Sequence, residues 1–162
     1  MVDASTSLRV HVISDRAVVM TRQFRAPRDL VFQAMAEAEH LERWWGPRGH
    51  QATVLELDFR VGGRWRFLTV NEDGREHPFT GVFSEIAAPE RVVQTFTYDA
   101  GPFADAQSVE AMTLEELDDV TTMTTIARYS SPELLDVMLE WGMEQGLGES
   151  YDRLEAYLET LP

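Results

Sequence analysis

The 162-residue sequence contains no cysteine. This absence excludes a disulfide framework, a thiolate metal site and a cysteine nucleophile. Basic residues are also scarce, because 14 of them stand against 28 acidic residues, for a net charge of −14. A chain this acidic is repelled by the phosphate backbone, so we expect no nucleic-acid partner.

Long apolar runs are missing as well. No stretch approaches the roughly 20 residues that a membrane-spanning helix needs, and the first residues lack the basic and apolar segments of a secretory signal. We therefore expect a cytoplasmic protein that does not insert into membranes. Since no repeat or linker divides the chain, we predict one domain over residues 1–162, with residues 1–7 as a loose tail.

The apolar periodicity changes along the chain. Segments 9–13 and 17–25 have the β-branched, alternating pattern of strands, Pro27 opens a short helix, and a second short helix stops at Gly46-Pro47. From residue 52 to residue 129 the period is two, with turn residues at 62–63, 71–74, 88–90 and 117–119. This order of elements predicts an α+β fold with an antiparallel sheet.

Glycine interrupts the last helical pattern, which runs from Ser131 to Leu161. Gly142, Gly146 and Gly148 fall inside it, and each costs roughly 1 kcal/mol relative to alanine in a helix interior. We predict one long helix in which the missing side chains have one of two uses. They permit close packing against another backbone, or they leave a cavity beneath the helix.

A curved sheet closed over this helix would enclose aromatic and sulfur-containing side chains. The candidate ligand-binding residues are Trp65, Phe67, Phe79, Phe83, Phe96, Tyr98, Met112 and Met123 from strands, and Trp44, Trp45, Met138, Trp141, Gly142 and Gly146 from helices. For any single one of them, an ordinary place in the core is the alternative. Polar groups that would orient a ligand among them are Thr69, Thr97, Glu110 and, as the leading candidate, Tyr98.

Three stretches together resemble a known family. They read APRDLVFQAMAEAEHLERWWGP (26–47), GGRWRFLTV followed by HPFTGVFSEIAAPERVV, and WGMEQGLGESYDRLEAYL (141–158). They are similar to the START-like, or SRPBCC, superfamily, in the branch named after activators of the heat-shock chaperone's ATPase. The resemblance implies a helix-grip fold, in which a curved antiparallel sheet wraps around a long carboxy-terminal helix and two short helices close one end. It also implies a deep apolar cavity.

Members of that superfamily differ in function. They bind lipids, steroids or polyketide-like molecules, act as cyclases or hydrolases, or stimulate the chaperone. The chaperone activators carry an additional amino-terminal domain. Because this sequence does not include it, we do not expect this chain to stimulate the chaperone directly. Fold alone therefore leaves several functions open.

Candidate catalytic groups are few. His11, His40, His50 and His77 lie outside any serine or metal motif, and we expect His40 to be solvated. We predict no catalytic residue, no metal and no cofactor. The favoured function is binding of a small apolar or aromatic molecule without catalysis. The alternatives are a cyclase- or hydrolase-type enzyme and a regulatory module for a chaperone or stress-response partner, and a homodimer is compatible with each.

Overall fold

A computed structural model describes residues 7–162, so the predicted tail lies outside the described residues except for Ser7. The strands are β1 (Arg9–Val12), β2 (Ala17–Phe24), β3 (Gln51–Leu57), β4 (Arg64–Val70), β5 (Glu76–Ala87), β6 (Arg91–Tyr98), β7 (Gln107–Leu117) and β8 (Val120–Tyr129). The α-helices are α1 (Arg28–Ala36), α2 (Ala38–Trp44), α3 (Pro132–Glu140) and α4 (Met143–Leu158). A short 3-10 turn covers Gly101–Phe103.

The strands form one antiparallel sheet in the order β1-β2-β8-β7-β6-β5-β4-β3. Strands β3 to β8 follow one another as a meander, and β2 pairs with β8 so that the first two strands extend its far edge. Helices α1 and α2 connect β2 to β3, which are far apart in the sheet, and both contact α4. The predicted α+β helix-grip architecture is confirmed.

Side chains alternate between the two surfaces of the sheet. In β4, Trp65, Phe67 and Thr69 are buried whereas Arg64 and Arg66 are exposed, as the alternation in the sequence predicts. One part of the main core joins strand residues to α4, through Phe24, Leu114, Met123, Leu154 and Leu158. This contact fixes the carboxy-terminal half of α4 against the sheet.

Two turns use residues that tolerate a left-handed backbone. Between β4 and β5, Gly74 has a φ of +79°, and Asn71 Oδ1 accepts hydrogen bonds from the backbone N–H groups of Asp73 (3.0 Å) and Arg75 (2.9 Å). Between β7 and β8, Asp118 and Asp119 have φ angles of +52° and +62°. Two successive positive φ angles match the twist of a two-residue hairpin, so this acidic pair forms a turn.

The predicted single long helix is wrong. The chain forms α3 and α4 instead, because Gly142 adopts a φ of +82°, which ends one helix before the next begins. Glycine reaches this left-handed region without the steric cost that other residues meet. Gly142 is therefore a helix break, whereas Gly146 and Gly148 do lie inside α4.

Candidate functional site

A cavity of about 770 Å³ lies between the concave surface of the sheet and the helices. Its wall includes every predicted lining residue but one: Trp44, Trp45, Trp65, Phe67, Phe79, Phe83, Phe96, Tyr98, Met112, Met138, Trp141, Gly142 and Gly146. Of the polar candidates, Thr69 and Glu110 also line it, together with Tyr98. The sequence alternation thus brings the strand residues to one surface of the sheet.

Met123 is the exception, and its predicted place in the wall is wrong. Its side chain is only 1% exposed and belongs to the packed core with Leu114 and Leu154. Met123 pairs with Leu114 across β7 and β8, at the end of these strands that α1 covers. The same surface of the sheet therefore has a solid end and a hollow end, and an alternating pattern cannot distinguish them.

Helix α4 covers the hollow end of the sheet, and at Gly146 the space between the helix and the sheet is open. A Cβ atom built on Gly146 meets no described atom within 4 Å outside its immediate surroundings, and the residue lines the cavity. Close packing against another backbone, one of the two explanations for this glycine, is therefore wrong. Gly148 has the same free space but does not contribute to the wall.

Aromatic rings form one side of the cavity. Trp45 packs edge-on against Phe67 and Phe79, with ring centroids 5.0 and 4.9 Å apart, and Trp65 contacts Phe67 at 4.8 Å. Gly81 makes room for Trp65, because a Cβ atom at this position would lie 2.3 Å from Trp65 Nε1. The indole N–H of Trp65 is buried and finds no hydrogen-bond acceptor among residues 7–162.

An edge-to-face pair lies at the rim of the cavity. Phe103, in the 3-10 turn, and Trp141, at the end of α3, have ring centroids 4.8 Å apart. Trp141 is 63% exposed although it also contributes to the wall. We call these two residues the rim pair.

A histidine–tyrosine contact lies on the same wall. His77 Nδ1 and the Tyr98 hydroxyl are 2.8 Å apart, and the imidazole of His50 lies 5.5 Å from that of His77. Burial, followed by the charges of His77 and Arg153, lowers the pKa of His50. Tyr98, the leading polar candidate, therefore already has a partner. His77 was missed, although it precedes Phe79 by two residues and so shares its surface of β5.

Helix α4 also holds the loop that follows α2. Arg153 donates from Nη1 to the carbonyl oxygens of Gly46 (2.8 Å), Pro47 (3.1 Å) and His50 (3.2 Å). Ser150 Oγ accepts a hydrogen bond of 3.0 Å from the backbone N–H of Gly46. These bonds anchor the loop to the helix, so the wall beside Trp45 has a fixed position.

Glu110 is the acidic residue of the cavity wall. Its Oε1 accepts a hydrogen bond of 3.2 Å from Gln94 Nε2, on the neighbouring strand. Burial raises the pKa of Glu110 to about 7, against a smaller opposing effect of the Gln94 hydrogen bond. Burial raises the pKa of the Tyr129 and Tyr151 phenols, and the charge of nearby Glu110 raises the pKa of each further.

Two further expectations concern residues outside this wall. Thr97 is 7% exposed but does not line the cavity. The expectation that His40 is solvated is wrong, because its side chain is only 13% exposed and its Nδ1 contacts the Tyr157 hydroxyl.

Ligand atoms of Glu37, Glu39 and His40 lie within 4.8 Å of one another at the start of α2. Among the helices described, none is both long and apolar enough to cross a membrane.

Solved structures of several bacterial proteins share this architecture. A protein from Arthrobacter aurescens is 28% identical, with a TM-score of 0.85 over 96% of this chain and 92% of its own. A protein from Mycobacterium smegmatis is 27% identical, with a TM-score of 0.81 over 96% of this chain and 98% of its own. The AHSA1 protein from Silicibacter pomeroyi, at 21% identity and a TM-score of 0.73 over 89% and 98% of the two chains, shares the fold.

No curated protein sequence matches this chain. The sequence profile of one family, described as activator of Hsp90 ATPase homolog 1-like protein, matches residues 25–159. This range contains every cavity residue named above, from Trp44 to Tyr151. The chain therefore belongs to the activator of Hsp90 ATPase homolog 1-like family, within the START-like superfamily.

Proposed function

We propose that this protein binds a small apolar or aromatic molecule in the cavity between the sheet and α4. The observation that carries the proposal is the open volume beneath Gly146, beside a wall of aromatic rings. A volume of about 770 Å³ is within the range of small-molecule sites, roughly 300–1,000 Å³. A stability-maximised helix would carry a larger residue at this position, so the absent side chain supports a use for the space.

Burial of apolar surface supplies most of the affinity. A ligand that buries about 300 Å² gains about 7 kcal/mol, at roughly 25 cal/mol per Å², before the entropic cost of association is subtracted. Trp45 and Phe79 offer edges and faces of rings, which suit an aromatic body. The anchored loop below Trp45 limits rearrangement on binding, and this reduces the cost of ordering the site.

The test compares Gly146→Leu with Gly148→Leu. Both substitutions replace a glycine of α4 that has free space, and both gain helix propensity of roughly 0.8 kcal/mol, but only residue 146 lines the cavity. Binding is measured by the fluorescence of Nile red, a neutral apolar dye. We expect Gly148→Leu to bind within twofold of the unmodified protein and Gly146→Leu to bind at least tenfold more weakly. Equal binding by all three proteins, or no binding by any, would overturn the proposal.

A further inference from the structure

We propose that the molecule taken up by the cavity is an amine, whose cationic nitrogen pairs with Glu110 while its aromatic body lies along the wall formed by β6. This inference rests on the proposed binding function and names the class of ligand. It begins from an acidic side chain in the cavity wall that forms no ion pair within residues 7–162.

Among the described residues, Glu110 has one hydrogen-bond donor, Gln94, which is neutral. None of the ion pairs formed within residues 7–162 includes Glu110. Arg22 is a buried cation, but its guanidinium is paired with Asp152 at 2.7 Å and lies over the ring of Phe24, 5.2 Å from the ring centroid. The sequence has no lysine at all. Arg75 also lines the cavity, but it is exposed and forms no ion pair with Glu110 among residues 7–162, so the cavity leaves this carboxylate open to a cationic ligand.

The groups around Glu110 favour a cation over an anion. Gln94 donates to Glu110 from β6, and the phenols of Tyr129, on β8, and Tyr151, on α4, lie near it. Arg22 lies close enough to lower the pKa of Tyr151, but its charge is already paired with Asp152. Aromatic faces attract cations, and the cost of burying a carboxylate falls when the group is protonated or when a positive charge joins it. The net charge of −14 also attracts cationic ligands towards the protein and repels anionic ones.

Strand β6 sets the length of the ligand. Gln94, Phe96 and Tyr98 all line the cavity at alternate positions, and Gln94 is paired with Glu110 whereas Tyr98 contacts His77. Four residues of strand span about 13 Å, at 3.3 Å per residue. An amine bound at Glu110 therefore has room for about two rings before it reaches the histidine–tyrosine contact.

The experiment uses three compounds with one apolar body: 2-naphthylmethylamine, 2-naphthalenemethanol and 2-naphthoate. Their affinities for the full chain are measured by isothermal titration calorimetry at pH 7. We expect the amine to bind at least tenfold more tightly than the alcohol, and 2-naphthoate to bind most weakly. In Glu110→Gln, which keeps the size and the contact with Gln94, the amine should lose at least tenfold in affinity while the alcohol changes less than threefold.

Proton release gives a second measurement that a structural role would not affect. At pH 7 a carboxyl of pKa about 7 is half protonated, so pairing with a cation should release up to about half a proton per amine bound. The release is read from titrations in two buffers of different ionisation enthalpy. Glu115→Gln removes the same charge from an exposed position of β7, and it should leave both affinity and release unchanged.

The outcomes separate this inference from the proposed function. If the alcohol binds and the amine has no advantage, or if the advantage survives in Glu110→Gln, the amine assignment is wrong and binding of an apolar molecule stands. If none of the three compounds binds and Nile red does not bind either, both are wrong. Retained amine preference in Glu115→Gln, together with its loss in Glu110→Gln, supports the assignment.

Discussion

Glu110→Gln should change the pH dependence of stability as well as binding. In the native state the carboxyl has a pKa of about 7, against an ordinary value of 4.5. Between these values the native state binds more protons than the unfolded state, so the free energy of unfolding falls as pH rises. The stabilising contribution of the neutral carboxyl is complete below pH 4.5 and is lost as pH passes through 7. Glutamine stays neutral throughout and carries no such dependence.

The magnitude follows from the two pKa values. At 1.36 kcal/mol for each pKa unit, the difference between about 7 and 4.5 corresponds to about 3 kcal/mol. Glu110→Gln should therefore be more stable than the unmodified protein by about 3 kcal/mol at pH 8.5, and by little at pH 4.5. For a chain of this size the gain equals about 6–12 °C in melting temperature.

Urea unfolding followed by circular dichroism at several pH values between 4.5 and 8.5 measures this difference. Glu115→Gln is the control for the change in net charge, since its side chain is exposed on the same strand. We expect the stability advantage of Glu110→Gln to grow with pH and that of the control to stay flat. A gap between Glu110→Gln and the unmodified protein that does not vary with pH would refute the account of Glu110 as a buried, unpaired carboxyl.

Three glycine substitutions test the backbone assignments by thermal unfolding. Gly81→Ala should destabilise the fold by more than about 2 kcal/mol, because its Cβ would lie 2.0 Å from the carbonyl oxygen of Thr95 and 2.3 Å from Trp65 Nε1; an unchanged melting temperature would contradict this packing. Gly142→Ala should cost about 1–2 kcal/mol because φ is +82°, and a gain would show a continuous helix. Gly148→Ala should gain roughly 1 kcal/mol, and a loss would mean that its space is occupied.

The strands and their turns could be predicted because their signals are local. Alternation in β4 places Trp65 and Phe67 on the surface of the sheet opposite to Arg64 and Arg66. The Asp118-Asp119 pair, by its residue types alone, indicates the turn that it forms. The helix break at Gly142 was missed because a glycine at helical spacing is compatible both with a helix interior and with a left-handed break. The distinction depends on tertiary packing, in which Leu135 of α3 joins one hydrophobic cluster and Leu154 and Leu158 of α4 join another.

The limits of sequence reasoning are clearest in the cavity. Its aromatic wall follows from period two, but Met123 has the same pattern and lies in solid core. The raised pKa of Glu110 depends on its burial in the assembled fold and on Gln94 of the neighbouring strand, so no spacing within the sequence signals it. The contact of His77 with Tyr98 joins two strands whose pairing depends on the register of the whole sheet.

Because of the break at Gly142, helices α3 and α4 are held in place by different contacts. Helix α4 is fastened by Arg153 to the loop after α2 and by Asp152 to Arg22, whereas α3, which ends beside the rim pair, has its own amino-terminal cap at Ser131. A continuous helix from residue 132 to residue 158 would move as one rigid body, so a ligand could enter beside it only if the whole helix moved away from the sheet. Because Gly142 separates the two helices, we expect that α3 can tilt and widen the entrance of the proposed binding cavity while α4 stays in place.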